Sequence, residues 1–430
     1  MRGRRSNREN NKKVEKFKSV KTILSILIII AFVVFIFNIM SNTRTQEQHI
    51  AENKENTNII KQPQESENKS EEVQEENKKE ENTDKTITIA ATGDIMCHDS
   101  MYKDAYDSSK KTYDFSYMFD DIKYYIQTAD VAVGNLETTF AGEENGYSNY
   151  PAFNTPEQLA KNLKKIGFDV MTTANNHCMD KGYKGIVSTI DFLDDADLLH
   201  TGTYKTEEDS KKILIKDVKG VKIAFLSFTY GTNGIKIPND KSFCVNLIDK
   251  DLILEQLQLA KKENPDVICV SMHWGVEYQT KPNSTQKELA EYLFQNGADI
   301  IIGNHPHVPQ PMEKLEVELA DGTKKQGFVI YSLGNFMADQ NKQYTRDSAI
   351  LNIQITKKVT GGISIDKATY TPIYYYKNEN VSKQKYKILD INDAIQSYEA
   401  NVDTSIGKNT YNTLVKELKN IKNIIGDEIK

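Results

Sequence analysis

The chain has 430 residues, 38% hydrophobic and 27% charged, with a formal net charge of −6 at pH 7. Such a length holds two or three average domains or one large α/β domain with appendages, and the proportions fit a globular protein carrying some polar, unfolded sequence. An acidic balance leaves nucleic-acid binding without support and disfavours broad electrostatic capture of a polyanion.

Charge is partitioned along the chain. Residues 1–21 carry nine basic and two acidic side chains, about +7, and read as a basic cytoplasmic segment. Residues 22–40, TILSILIIIAFVVFIFNIM, carry no charge. As a helix they would span roughly 28 Å, close to a bilayer's hydrocarbon core. Ser41-Asn42-Thr43-Arg44 offers no small-x-small cleavage site, so the span is expected to be an uncleaved transmembrane anchor rather than a signal peptide. The basic lead then places the N-terminus in the cytoplasm and the rest of the chain outside the cell, with the flank able to touch anionic lipid. Residues 41–85 hold seven basic and twelve acidic residues and no aromatic one. They cannot bury enough surface to fold and read as a disordered polar linker.

The folded part is expected to begin at Thr86. Short apolar runs predict strands at 86–91, 131–133, 169–171, 223–226, 267–270, 300–302 and 329–331. Helical patterns lie between most of them, as at 156–163 and 286–295, and Thr155-Pro156 reads as a helix start. This alternation argues an α/β sheet buried on both faces. Residues 349–359 and 363–376 read as strands without intervening helices, a second, mixed sheet packed on the first. The domain is expected to run over 86–378, followed by a helical extension over 379–430. Four cysteines (Cys97, Cys178, Cys244, Cys269) are expected mostly as buried free thiols, although an exported domain permits disulfides. Cys97 and Cys178 both follow polar motifs and are expected near each other.

Polar residues cluster just after the strand runs, where open α/β sheets place their ligands. They form Gly93-Asp94-Ile95-Met96-Cys97-His98, Gly134-Asn135-Leu136-Glu137, Ala174-Asn175-Asn176-His177-Cys178-Met179-Asp180, His273-Trp274-Gly275-Val276-Glu277-Tyr278, Gly303-Asn304-His305-Pro306-His307 and Tyr331-Ser332-Leu333-Gly334-Asn335-Phe336. Five of the seven histidines lie in these loops. Taken singly, most of the loops are equally well read as turns, caps or packing corners. His305-Pro306-His307 is the strongest, because alternate residues of an extended segment can address one centre from two sides. Together they assemble carboxylate, carboxamide and imidazole at one rim, the ligand set of zinc, manganese or iron.

In this order the motifs resemble the CapA family, associated with poly-γ-glutamate capsule synthesis, over roughly residues 87–340. That family in turn resembles the calcineurin-type metallophosphatases. The resemblance implies a four-layer α/β/β/α metallophosphatase-like sandwich and a site holding one or two divalent ions. Asp94, Glu137, Asn176, His273, His305 and His307 would then be metal ligands, with Glu137 standing where the phosphatases have a bridging aspartate. His177 would be the catalytic acid, in an exposed loop beside the metal. Met96 departs from the pattern, standing where the second half of an Asp-x-His pair belongs, and His98 is the candidate substitute.

The site implies metal-dependent hydrolysis or transfer at a phosphoester or amide in capsule or poly-γ-glutamate synthesis or export. The alternative is a non-catalytic, metal-dependent polymer-binding subunit of a membrane synthesis complex. Either reading makes the membrane, an anionic capsule polymer and other membrane subunits the expected partners. Arg346 is a candidate local base for the polymer, and the residues that bind substrate are not legible.

Overall fold

The computed structural model describes residues 83–402 and 406–429. The basic segment 1–21, the apolar span 22–40 and nearly all of the linker 41–85 lie outside the described residues. Among the described residues no helix is long and apolar enough to cross a membrane.

Two sheets carry the fold. The first has eight strands, in spatial order Tyr386–Asp390, Ile363–Lys377, Asp347–Lys357, Lys85–Ile95, Val131–Leu136, Val170–Thr172 and Leu199–Thr201, with Asn335–Met337 pairing alongside Lys85–Ile95. The second has six, in the order Met312–Glu318, Lys324–Ile330, Ile300–Asn304, Val267–His273, Val221–Thr229 and Leu214–Val218. The expected strand runs therefore divide between two sheets. The strands after residue 347 do not start the second one, which corrects the sequence expectation. Asp347–Lys357 pairs antiparallel with Lys85–Ile95 from Lys85↔Lys357 to Ala91↔Leu351 and so continues the first sheet at its open edge. Strand pattern records burial and not the partner, so the assignment needed the long-range pairing.

Side-chain alternation explains the layering. Ile87, Ile89, Val131 and Val133 point into the same apolar cluster as Ile223, Phe225, Val267 and Ile300, so the two sheets pack face to face. The residues between them point the other way. Ala90 and Ala132 meet Leu159 and Leu163 of the helix Gln158–Lys165. On the far side, Ala224, Ile268 and Ile301 meet Ile253 and Leu257 of Lys250–Lys262 and Leu289 and Leu293 of Ser284–Gln295. Both faces of each sheet are apolar, which is why the parallel strands read as continuous hydrophobic runs.

Beyond residue 379 the chain first adds the strand Tyr386–Asp390 to the sheet. The helices Ile391–Glu399 and Lys408–Ile425 then follow, and Leu414, Ile421 and Ile425 pack into the inner cluster beside Ile353 and Ala368. Asn283 caps Ser284–Gln295 through a reciprocal pair with Gln286, satisfying two end N–H groups. Thr155 does not start a helix as expected. Its hydroxyl is 2.7 Å from that of Thr138, and the helix begins at Gln158. All four cysteines are buried and free, with Cys97 and Cys178 in different apolar clusters.

Candidate metal centre

The parallel strands of both sheets end at one rim, and the site spans it. Asp94 lies one residue before the end of Lys85–Ile95, and Glu137 directly follows Val131–Leu136. His273 is the last residue of Val267–His273, and His305 follows Ile300–Asn304. Two glycines allow the loops to meet: a Cβ on Gly93 would fall on the carbonyl of Gly334, and one on Gly303 on that of Tyr331.

Asp94 is fully buried. Its Oδ1 accepts from Nδ2 of Asn135 at 2.8 Å, and its Oδ2 lies 3.1 Å from Nδ1 of His307 and 3.3 Å from the backbone N of His305. Nδ1 of His273 lies 3.3 Å from Nδ2 of Asn135, and its Nε2 lies 2.8 Å from Oδ1 of Asn176. Glu137 is also fully buried, yet neither carboxylate oxygen has a hydrogen-bond partner. Its neighbours are Nε2 of His273 at 3.6 Å and Nδ1 of His307 at 3.9 Å. Burial, followed by the charge of Asp94, raises the Glu137 carboxyl well above the ordinary range. Burial and the neighbouring imidazoles push His273 well below its usual value, and burial and His307 push His305 down to about 4. These rings are therefore neutral at pH 7, the form that binds metal.

Ligand atoms of Asp94, Glu137 and His273 lie within 4.8 Å of one another, as do those of Glu277, His305 and His307. The residues present fit a divalent cation. A buried carboxylate and Nδ1 of His305 lack partners, and a buried ionised group without compensation is costly. His305 and His307 hold left-handed backbone, φ +97° and +59°, strain of the kind that surrounding structure must impose.

The fold thus brings together Asp94, Glu137, Asn176, His273, His305 and His307. His98 joins neither group: its Nδ1 accepts from the backbone N of Asp339 at 3.2 Å, and its ring meets Phe153 edge-on. Met96 is buried with Phe153 and Ala338. His177 is next to Asn176 but is 3% exposed, so it is not the exposed loop residue expected. Its Nδ1 lies 2.7 Å from Oδ2 of Asp180, which also accepts from the backbone N of Phe153 at 2.7 Å. Arg346 is engaged by Asp339, Asn341 and the carbonyl of Tyr375.

Sequence reasoning assigned no role to Asn135, Asp180, Glu277 or Asn335. The last two approach through His307, Asn335 placing Oδ1 3.1 Å from its Nδ1. The signal for Asp180 was its i+3 spacing from His177. The others stand in the polar motifs that follow the strands, with no signal that set their individual roles.

The family described as bacterial capsule synthesis protein PGA_cap matches residues 88–340, and the chain belongs to it. It is 33% identical over 288 residues to the capsule biosynthesis protein CapA of Bacillus anthracis, covering 65% of this chain and 66% of that one. To the PGA biosynthesis protein CapA of Bacillus subtilis (strain 168) it is 32% identical over 301 residues, covering 68% and 75%. The chain thus spans just under two thirds of the first relative and three quarters of the second. Among solved structures, the NAD nucleotidase of Haemophilus influenzae superposes with a TM-score of 0.43 at 12% identity, over 80% of this chain and 61% of that one.

Proposed function

We propose that this protein acts at the outer face of the cell membrane in the synthesis or export of poly-γ-glutamate or a similar capsule polymer. It would be held there by residues 22–40 and use a metal-dependent, hydrolase-type site alongside other membrane subunits. The observation that carries the site is Glu137, a fully buried carboxylate without a hydrogen-bond partner, facing Asp94 and two imidazoles. A bound cation would compensate such a group in its ionised form.

Asp94, Glu137, Asn176, His273, His305 and His307 would hold one or two ions of manganese, zinc or iron. A bound ion lowers the pKa of water toward neutrality and polarises the scissile group. The rest is done by the chain. Asp180 holds Nδ1 of His177, which fixes the ring, and Nε2, 3.5 Å from Nδ2 of Asn233, is the atom that would protonate a leaving oxygen or nitrogen. Asn135 orients both Asp94 and His273, the supporting role that ligands of a metal site require.

The second reading, a polymer-binding subunit without turnover, is favoured by Tyr150 and Tyr230. They are 68% and 48% exposed, with ring centroids 6.3 Å from His177 and 4.5 Å from His305. Purified full-length protein should be analysed for bound metal and assayed for phosphoester and γ-glutamyl hydrolysis. Metal with turnover supports the hydrolase. Metal with polymer affinity and no turnover supports the subunit, and a metal-free, inactive protein that binds no polymer overturns both.

A further inference from the structure

His98, the substitute expected for Met96, joins neither group of ligand atoms at the centre, and its Nδ1 accepts from the backbone N of Asp339. The structure places another carboxylate at the same centre. Glu277, four residues beyond His273, has a ligand atom within 4.8 Å of those of His305 and His307. Nδ1 of His305 is buried and without a partner, on a residue only 4% exposed. A buried imidazole nitrogen with no hydrogen bond is unsatisfied unless something else binds it.

The loops that present this group are tied together and held out of relaxed geometry. The backbone N of Tyr278 donates to the carbonyl of Pro306 at 2.8 Å, and Nε2 of Gln310 donates to the carbonyl of Gln279 at 2.8 Å. Tyr278, His305 and His307 all carry positive φ, at +66°, +97° and +59°, where side-chain-bearing residues are strained. His307 meanwhile faces Asp94 through Nδ1 at 3.1 Å, so one imidazole stands between the two groups.

We propose that Glu277, His305 and His307 form a second divalent-cation position beside the one at Asp94, Glu137 and His273. The inference rests on the metal-binding reading above. Two imidazoles and a carboxylate suit zinc, manganese or iron(II). Three protein ligands leave coordination positions open, as a centre that meets substrate requires. Glu277 is exposed and the two histidines are buried, which puts this position on the solvent side of the centre.

The test counts ions. Full-length protein in detergent is stripped with chelator, reloaded with Mn²⁺ or Zn²⁺ alone, dialysed and measured for metal per chain, with near-ultraviolet circular dichroism to confirm the fold. Wild type is expected to hold two ions, Glu277→Gln one and His98→Ala two. Glu277→Gln retaining two, or losing both, overturns the separate position. A wild type holding one ion also overturns it while leaving the metal reading intact. A wild type holding none overturns both.

Discussion

Nε2 of His273 lies 2.8 Å from Oδ1 of Asn176, although the two residues are 97 positions apart, one ending a strand of the second sheet and the other following a strand of the first. The contact shows how the centre is made. Neither sheet contains it, and each supplies about half its donors at the point where their carboxyl ends meet. Hydroxyls of Ser271 and Thr172, 3.3 Å apart, join the sheets just beneath.

Removing a donor should therefore lower metal content without unfolding the chain. His273→Ala and His305→Ala are each expected to lower bound metal well below that of His200→Ala. His200 is the control because it belongs to neither ligand group and its Nε2 lies 3.2 Å from Asp194. Elemental analysis of the three purified variants measures this, and equal metal in all three would remove the basis for the site.

Glu137 should cost stability when no metal is present. Its carboxyl is raised by burial and by Asp94, so the metal-free fold weakens as pH rises through the ordinary carboxylate range toward that raised value. Glu137→Gln is expected to stabilise the chelated protein by ~1–3 kcal/mol while weakening metal affinity. Thermal melts with and without chelator should show the variant melting above wild type only when chelated.

His177→Asn should separate chemistry from metal binding. Metal content is expected to hold, and turnover to fall by roughly two to four orders of magnitude if the protein is a hydrolase. Because His177 is buried against Asp180, the variant should also lose ~1–3 kcal/mol, the penalty for a disrupted buried partner. Asp180→Asn should reduce turnover through the ring's orientation and likewise keep the metal. If His177→Asn strips the metal, His177 is a ligand and the roles must be redrawn.

A second pH dependence lies away from the centre. Burial, and then the charge of Glu417 on the last long helix, raises the Asp347 carboxyl from 3.8 to about 9. The fold thus favours the protonated acid. Its contribution is whole below the unfolded value and is lost as pH climbs through about 9, by at most ~1.4 kcal/mol per pH unit between the two values. Melting temperatures of wild type should fall more steeply from about pH 5 to about pH 9 than those of Asp347→Asn. Parallel slopes would contradict this.

The proposed topology is tested on intact cells with the wall removed. Protease is expected to release a fragment beginning between Asn42 and Lys85, since the polar run there lacks aromatic residues and such segments are cut first. A domain that stays protected until the membrane is opened would reverse the orientation.

Much of this was legible in the chain itself. A strand's inward and outward residues alternate locally, so runs such as Ile223–Leu226 and Val267–Val270 announce buried strands, and the polar residues that follow each run lie in sequence where they lie in space. The loops that hold Asp94, Glu137, Asn176, His273, His305 and His307 could be picked out for that reason, and the family resemblance gave those residues their expected roles. Which strands pair is a different question, settled by contacts between distant segments. The pattern that predicts a strand at 349–359 is the same whether it starts a new sheet or, as here, completes the edge of Lys85–Ile95. The same limit hid the roles of Asn135 and Glu277. A carboxamide or carboxylate in a loop gains a role only when two sheets packed through Ile87, Ile89, Ile223 and Phe225 bring their ends together. Local chemistry is written residue by residue, whereas the burial that leaves Glu137 without a partner exists only once both sheets have closed over it.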